Sequence, residues 1–373
     1  MSWKSTTLGE VLTLKRGYDL PNDSRLEGDV PVVSSSGITG YHNEPKVKGP
    51  AVVTGRYGTL GEVYYVDQDC WPLNTSLYVK DFKGSRPKYI YYFLQNILKG
   101  MQSDKAAVPG VNRNDLHARK VTHADSETEQ KKIEDFIGKY DDLIENNKRR
   151  IALLEESIRL LYREWFVYFR FPGHEHSNIE NGLPNGWLRC PLKNICSEIK
   201  DTISPEKVDP STPYIGLEHI PRRSITLNEW GRAEKVTSTK LRFSSGDILF
   251  GKIRPYFHKV GFTFCDGIAS SDALVIRPTK DVLYHYCLLF LSSDFFVALA
   301  SKTVKEGSKM PRADWEYLKA QEINIPPESL LEPFNMQVSK IIDQLKVLSN
   351  QNKSLTNARN LLLPRLMNGD ITV

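Results

Sequence analysis

The chain has 373 residues, of which 40% are hydrophobic and 25% charged, and it contains 17 Tyr, 15 Phe and 6 Trp. This length suits two or three globular domains, and so many aromatic residues exclude a disordered chain. The sequence shows no apolar run of the roughly 18 residues that a membrane-spanning helix needs, and no secretory signal, so we expect a cytoplasmic protein without membrane contact.

The cysteine content and the net charge exclude few further classes of protein. The 5 cysteines form no C-x-x-C pair, which argues against a disulfide framework or a structural zinc site. The net charge is +5, and residues 1–125 and 186–328 each carry an excess of three basic residues (16 against 13, and 20 against 17). Two basic blocks suit a nucleic-acid binder, but an ordinary solvated surface explains them equally well.

Residues 1–125 form a first block of short strands with Gly and Pro between them. Residues 51–58 are typical of a strand that runs into a tight glycine turn, and residues 89–94 of a short buried helix. We therefore predict a globular block of the α/β or α+β class.

Residues 126–168 predict one long helix. Ser126 and Glu129 have the spacing of a capping box, and proline is absent until Pro172. Apolar residues then recur in alternating steps of four and three from Ile133 to Trp165, which is the seam of a coiled coil, interrupted only by Asn147. About 40 residues at 1.5 Å each make a helix of roughly 60 Å.

The second half of the chain repeats the first. A polar, turn-rich linker over 169–185 leads to a second α/β or α+β block over 186–328 and a second long helix over 329–373. Residues 3–8 resemble 187–192, and residues 110–116 resemble 309–315. Residues 247–256, like 51–58, predict a strand that enters a glycine turn.

We expect the two long helices to pair with each other as an antiparallel coiled coil that holds two tandem globular domains apart. Each seam contains one Asn, which either fixes the register of the pair or faces solvent where the seam widens. The residues expected in the seam are Ile137, Ile144, Asn147, Ile151, Leu154 and Ile158 of the first helix and Leu345, Leu348, Asn352, Leu355 and Leu362 of the second.

The sequence offers no convincing catalytic motif. It contains neither a P-loop nor the glycine-rich cofactor loop and Asn/Asp-Pro-Pro-Tyr motif of an adenine methyltransferase. His174 and His176 could hold a metal ion, but two histidines in a linker are more often solvated, and we predict no metal site. We expect a chain that catalyses nothing by itself.

Several polar and basic residues suit contact with DNA, because Arg, Lys and Ser reach base edges and phosphates. The candidates are Ser35, Ser36, Lys46, Arg56, Tyr57, Lys105 and Arg113 in the first block and Arg222, Arg223, Lys252, Arg254, Tyr256, Lys302, Lys305, Lys309 and Arg312 in the second. For Arg56-Tyr57 and Arg254-Pro255-Tyr256, which follow similar strands, a purely structural role is an equally good interpretation.

The order of these elements and several motifs resemble the specificity subunits of type I restriction–modification systems. The motifs are Glu164-Trp165-Phe166, Arg170-Phe171-Pro172-Gly173, Leu183-Pro184-Asn185-Gly186-Trp187, Tyr214-Ile215-Gly216-Leu217-Glu218, Gly246-Asp247-Ile248-Leu249, Arg254-Pro255-Tyr256 and Leu361-Leu362-Leu363-Pro364-Arg365-Leu366 with Gly369. The resemblance covers essentially the whole chain. It departs from the family pattern before the second helix, where Pro326-Pro327 occurs without Glu-Gln.

The resemblance implies a function. Each block would be a target-recognition domain that reads one half of a split, asymmetric site in double-stranded DNA. The helices would set the gap and dock two methyltransferase subunits, which supply S-adenosylmethionine and methylate adenine. Restriction subunits would add ATP- and Mg²⁺-dependent translocation and cleavage, so this chain would itself need no cofactor.

Two other classes of protein stay open. A self-standing DNA-binding regulator would bind its site without partners. A coiled-coil adaptor would bind only proteins and would tolerate charge reversal at Lys305 and Lys309.

Overall fold

A computed structural model describes residues 3–100, 110–304 and 309–373 of the chain. The chain divides into two compact units. Unit 1 comprises Met1–Ile144 with Ser354–Val373, and unit 2 comprises Glu145–Lys353. Both units combine short strands with helices, so the predicted mixture of α and β structure is confirmed.

Unit 1 combines small sheets with short helices. The strands are β1 (Trp3–Thr7), β2 (Thr13–Arg16), β3 (Val30–Ser34), β4 (Gly37–His42), β5 (Ala51–Gly55), β6 (Val63–Val66), β7 (Trp71–Pro72), β8 (Ser76–Asp81) and β9 (Lys120–Ala124). The short helices are α1 (Leu8–Val11), α2 (Pro87–Leu98) and α3 (Arg113–Ala118). The sheet orders are β1-β9, β2-β8-β5-β6 and β4-β3-β7. Helix α2 confirms the short helix expected at 89–94, and its Tyr89, Tyr92 and Phe93 lie in the core.

The first long helix, α4 (Glu127–Tyr162), follows and continues as one stretch of π-helix, Arg163–Val167. Unit 2 then has the strands β10 (Ile179–Glu180), β11 (Leu183–Pro184), β12 (Leu188–Pro191), β13 (Cys196–Glu198), β14 (Thr202–Ile203), β15 (Pro213–Ile215), β16 (Thr226–Leu227), β17 (Gly231–Arg232), β18 (Lys240–Phe243), β19 (Ile248–Gly251), β20 (Val260–Thr263), β21 (Gly267–Ala269), β22 (Ala273–Pro278) and β23 (Glu322–Ile325). The helices are α5 (Tyr284–Leu291), α6 (Asp294–Lys302), α7 (Trp315–Lys319) and the second long helix, α8 (Glu328–Met367).

The two units share a strand order. The sheet β2-β8-β5-β6 of unit 1 corresponds to β13-β22-β19-β20-β16 of unit 2, and the pairings among the first four strands are antiparallel in both. Strands β1 and β9 pair as β12 and β23 do. The resemblance of 3–8 to 187–192 therefore reflects a structural repeat.

The long helices match the periodicity that predicted them. Helix α4 has 36 residues and α8 has 40. Helix α8 ends two residues before Gly369, whose φ of 78° is the left-handed conformation that ends helices. Parts of α4 and α8 belong to each unit, since the division falls after Ile144 and after Lys353.

The seam residues are buried or half-buried along both helices. Ile133 and Ile137 lie in the core of unit 1 with Leu363 and Leu366, whereas Ile158 lies in the core of unit 2. Asn147 and Asn352 are 7% and 9% exposed, so both amides are buried instead of facing solvent.

The linker predicted over 169–185 is more ordered than its composition indicated. Strands β10 and β11 form a hairpin within it, and Asn181-Gly182 is the two-residue turn. Both turn residues have positive φ, 52° and 77°, as this type of hairpin turn requires.

Among residues 3–100, 110–304 and 309–373, no single helix is long and apolar enough to cross a membrane. By length and composition alone, one bent pair, Asp281–Leu291 with Asp294–Lys302, passes the same test.

Arg359 of α8 occupies an apolar-seam position in unit 1, and its partners explain why a charge is tolerated there. The Asp141 carboxylate of α4 accepts a hydrogen bond of 2.6 Å from Arg359 and another of 2.7 Å from the Tyr92 hydroxyl. The Asp141 and Arg359 side chains are 24% and 22% exposed. Because both side chains are largely buried, the loss of one charged partner would leave the other charge poorly solvated.

Replacing Asp141 with Asn should therefore lower the free energy of unfolding by about 1–3 kcal/mol. The matched control is Arg149→Ala, which breaks an ion pair with Glu145 whose side chains are 76% and 55% exposed. Such exposed pairs contribute about 0.5 kcal/mol or less. Thermal unfolding of both variants measures the difference, and equal shifts of Tm would contradict this account of the ion pair.

Candidate nucleic-acid interface

The candidate residues of unit 1 gather where β5 ends. The turn begins at Gly55. Glycine is required at this position because a side chain would collide with the carbonyl of Thr59. Arg56 and Tyr57 follow, and both amides donate to the carbonyl of Thr75. The Arg56 guanidinium lies 4.5 Å from the centroid of the Tyr57 ring, which is 40% exposed.

A second segment of unit 1 completes this group. Gly110 pairs with Tyr57, and a Cβ atom at Gly110 would lie 2.6 Å from the ring, so only glycine allows this approach. The amide of Val111 donates to the carbonyl of Arg56 at 2.9 Å. Together they border a cleft of about 520 Å³, lined by Arg16, Arg56, Tyr57, Leu77, Gly110, Val111, Asn112, Arg113 and Asn114.

The structure places the other unit 1 candidates as follows. Ser35 lies beside the turn after β5, since a Cβ atom at Gly55 would be 3.4 Å from that of Ser35. Ser36 is exposed in the same β3–β4 turn, where its amide donates to the Ser34 hydroxyl. The Lys46 ammonium group lies 4.7 Å from the centroid of the Trp71 ring, away from the interactions that hold Arg56. Lys105 falls outside the described residues.

Unit 2 builds a similar site at the end of β19. The amide of Arg254 donates to the carbonyl of Pro311 at 2.8 Å, and the amide of Ala313 donates to that of Lys252 at 2.8 Å. Lys252 and Arg254 therefore lie against the segment that carries Lys309 and Arg312. Lys302 ends α6, and the next residue, Thr303, accepts a hydrogen bond from the amide of Asp314 in that segment. Lys305 lies outside the described residues.

The loop after β19 has an unusual backbone. Arg254 and His258 have φ values of 48° and 55°, and Arg223, whose amide donates to the carbonyl of His258, has a φ of 58°. Left-handed conformations are costly for residues with a side chain and cluster at functional sites. Tyr256, between Arg254 and His258, is 56% exposed.

Aromatic and acidic groups hold the basic side chains of unit 2. The Arg222 guanidinium lies 4.0 Å from the centroid of the Phe257 ring. Arg223 pairs with Asp294 at 3.0 Å, and Arg312 pairs with Asp272 at 3.1 Å. These two cations are thus partly neutralised, whereas no ion pair is recorded for Lys252 and Arg254 among the described residues.

His258 is buried below this surface, and burial lowers the pKa of its imidazole. Its Nε2 lies 2.7 Å from the carbonyl oxygen of Ser292. The lowered pKa keeps this ring neutral near pH 7, so the positive charge of the site comes from Arg and Lys.

Some residues of these sites were missed by the sequence analysis. Asn112 and Asn114 lie in the repeated segment 110–116, and their amides are suited to reading adenine, which was the available signal. Arg16 lacked a comparable signal, because only the folded sheet brings it to the loop after β5. Phe257 follows Tyr256 directly, but nothing in the sequence indicated that Arg222 lies over its ring.

No chemistry beyond binding is evident in these groups. Among the described residues, no cluster of three or more His, Cys, Asp or Glu side chains could hold a metal ion. His174 and His176 contact only Glu175 among acidic residues in that part of the chain, at 3.2 and 3.9 Å. In each unit by itself, a basic loop with an exposed Tyr is suited to binding an anionic polymer.

The sequence of this chain is similar to those of known proteins. The family model of the type I restriction modification DNA specificity domain matches residues 1–156. The MjaIX specificity subunit of Methanocaldococcus jannaschii, a type I restriction enzyme subunit, is 25% identical over 87% of this chain and 78% of its own length. The EcoDI specificity subunit of Escherichia coli is 21% identical over 100% of this chain and 89% of its own.

A solved structure has a related fold. The S subunit of the type I restriction-modification system of M. genitalium superposes with a TM-score of 0.58 at 16% identity, covering 98% of this chain and 96% of that one. The resemblance stated from the sequence is thereby confirmed: residues 1–156 match the family model of type I restriction modification DNA specificity domains, and the chain as a whole is similar to the specificity subunits of type I systems.

Proposed function

We propose that this chain is the DNA-recognition subunit of a type I restriction–modification complex, and that each unit reads one half of a bipartite, asymmetric site in double-stranded DNA. The observation that carries the proposal is the equivalence of two basic loops. Arg56 and Tyr57 leave β5, and Arg254 and Tyr256 leave β19, in sheets that share one strand order. The loop sequences differ, as two unlike half-sites require.

We further propose that α4 and α8 run antiparallel and set the gap between the half-sites. One contact inside each unit supports this. Asp141 pairs with Arg359 in unit 1, and the ring of Trp165 lies 5.6 Å from that of Phe334 in unit 2. A residue later in the first helical segment thus contacts a residue earlier in α8, which is the order expected of antiparallel helices.

The helices are also proposed to dock two methyltransferase subunits. The support is apolar surface on the long helices outside the seam. Leu153 and Leu160 are 71% and 46% exposed, and their spacing of seven places them on one face of α4. Val347 and Leu361 are 55% and 72% exposed on α8. Exposed apolar residues that share one helix face, as Leu153 and Leu160 do, are typical of surfaces that partners cover. This favours a subunit over a self-standing regulator.

In the proposed complex this chain binds DNA and the partners perform the chemistry. Methyltransferase subunits would supply S-adenosylmethionine and transfer its methyl group to adenine. Restriction subunits would use ATP and Mg²⁺. The side chains of this chain would hold phosphates and base edges.

The Arg56→Ala and Arg254→Ala variants test the proposed DNA contacts. Each lost phosphate contact should reduce the slope of log affinity against log salt concentration by about 1, because fewer counterions are released. The measurement is DNA binding by the complex with its methyltransferase subunits over a range of salt concentrations. Arg149→Ala removes the same charge from the solvent face of α4 and should leave the slope unchanged. Slopes that are equal in all three variants would exclude these two arginines as phosphate contacts.

Lengthening α4 tests the role of the helices. Four residues inserted after Asn147 add about one turn, or roughly 6 Å, which corresponds to one or two base pairs. We expect a changed gap between unchanged half-sites in the methylated motif. Four residues inserted at Gly182, in the exposed β10–β11 turn, are the control and should preserve the gap. An unchanged gap after the α4 insertion would refute the spacer role.

A further inference from the structure

Glu155 of α4 is a carboxylate buried in unit 2. Only 3% of its surface is exposed, and its neighbours in the helix include the half-buried seam residues Ile151 and Leu154. A charge in such a place is unfavourable unless hydrogen bonds replace the lost water. An acidic residue in a long helix is usually solvated, so the burial of Glu155 indicates a specific task.

One oxygen of Glu155 takes up the hydrogen bonds of a single segment. Its Oε1 accepts from the Ser224 hydroxyl at 2.7 Å, from the amides of Ile225 and Thr226 at 3.1 Å each, and from the Thr226 hydroxyl at 2.5 Å. Arg159, one turn further along α4, lies 3.6 Å from Oε2 of Glu155. These contacts fasten residues 224–226 to the long helix.

The fastened segment continues directly into the candidate DNA surface. Arg222 and Arg223 precede it, and the Arg159 guanidinium donates to the carbonyl of Arg223. The amide of Arg223 donates to the carbonyl of His258 at 2.9 Å, and Arg222 lies over the ring of Phe257. A continuous set of contacts therefore runs from α4 through residues 222–226 to the loop that carries Arg254 and Tyr256.

Unit 1 has no counterpart at the matching helix positions. The two seams align with a constant offset, so that Ile137 corresponds to Val338 and Ile144 to Leu345. With this offset Thr356 and Asn360 occupy the positions of Glu155 and Arg159, and neither is charged.

We propose that Glu155 and Arg159 are positioning residues that hold the basic loops of unit 2 in the conformation that reads DNA. Within the sheet, β16 pairs with β20 at only two positions, Thr226 and Leu227. The Glu155 carboxylate adds four hydrogen bonds to residues 224–226. Discrimination at the half-site read by unit 2 therefore depends on a carboxylate in the long helix. This inference rests on the proposed function.

The test uses the complex with its methyltransferase subunits and compares Glu155→Leu, Glu155→Gln and Thr226→Val with the wild type. The first readout is the methylated motif. Glu155→Leu should weaken base discrimination about 10-fold at one half-site, the scale of one lost bidentate base contact, and leave the other half-site unchanged. Glu155→Gln keeps an acceptor oxygen and should restore most of the discrimination. Thr226→Val removes the hydroxyl that donates to Glu155 and should also weaken discrimination at this half-site.

The second readout is local and independent of DNA. Hydrogen exchange at the amides of Ile225 and Thr226 should accelerate in Glu155→Leu and much less in Glu155→Gln. The matched control is Leu345→Ala, which removes a fully buried apolar side chain from the same core and should destabilise unit 2 while leaving the hydrogen-bonding groups of Glu155 and residues 224–226 unchanged. It should leave base discrimination at both half-sites intact.

The outcomes separate this inference from the proposed function. A wild-type complex that methylates no bipartite site would overturn both. A wild-type complex with a bipartite motif would overturn the positioning role alone if Glu155→Leu kept full discrimination, lost it equally at both half-sites, or matched Leu345→Ala. Continued protection of the Ile225 and Thr226 amides in Glu155→Leu would also overturn it.

Discussion

The apolar seam of the long helices is the constraint on which the rest of the structure depends. Helix α4 gives Ile133 and Ile137 to the core of unit 1 and Ile158 to the core of unit 2. Helix α8 gives Leu366 to the first core and Leu345 to the second. Each unit therefore completes its core with residues from distant parts of the chain. The charge of Arg359 at a seam position is tolerated because the Asp141 carboxylate accepts a hydrogen bond from it, and Tyr92 donates to the same carboxylate.

The candidate interface also depends on the sheets and helices that form the core of each unit. Strands β5 and β19 are held within their sheets by neighbours on both sides, and the basic residues follow where the strands end. The loops are thus mounted on rigid elements while their side chains stay exposed, an arrangement that lets loop sequence vary without loss of the core. In unit 2 the attachment extends to α4 itself through Glu155 and Arg159, so the helices affect the loops as well as the core.

The sequence predicted the elements whose signal is local. A heptad seam is visible in consecutive residues, so both long helices could be predicted from it. The hairpin turn at Asn181-Gly182 was not predicted, although this pair is itself a local signature of such a turn. Partners distant in sequence could not be predicted, because pairing depends on the folded sheets. Asp294 neutralises Arg223 from 71 residues away, and Lys46 lies over Trp71. Glu155 was missed because an acidic residue in a helix resembles any solvated one until its neighbours are known.

The most direct test of the central claim is a map of adenine methylation across the genome in cells that express the methyltransferase subunits with and without this chain. We expect a split, asymmetric motif with a fixed gap that is methylated only when the chain is present. Methylation that is unchanged by loss of the chain, or a motif without a gap, would contradict the claim that its two units each read one half of a DNA site.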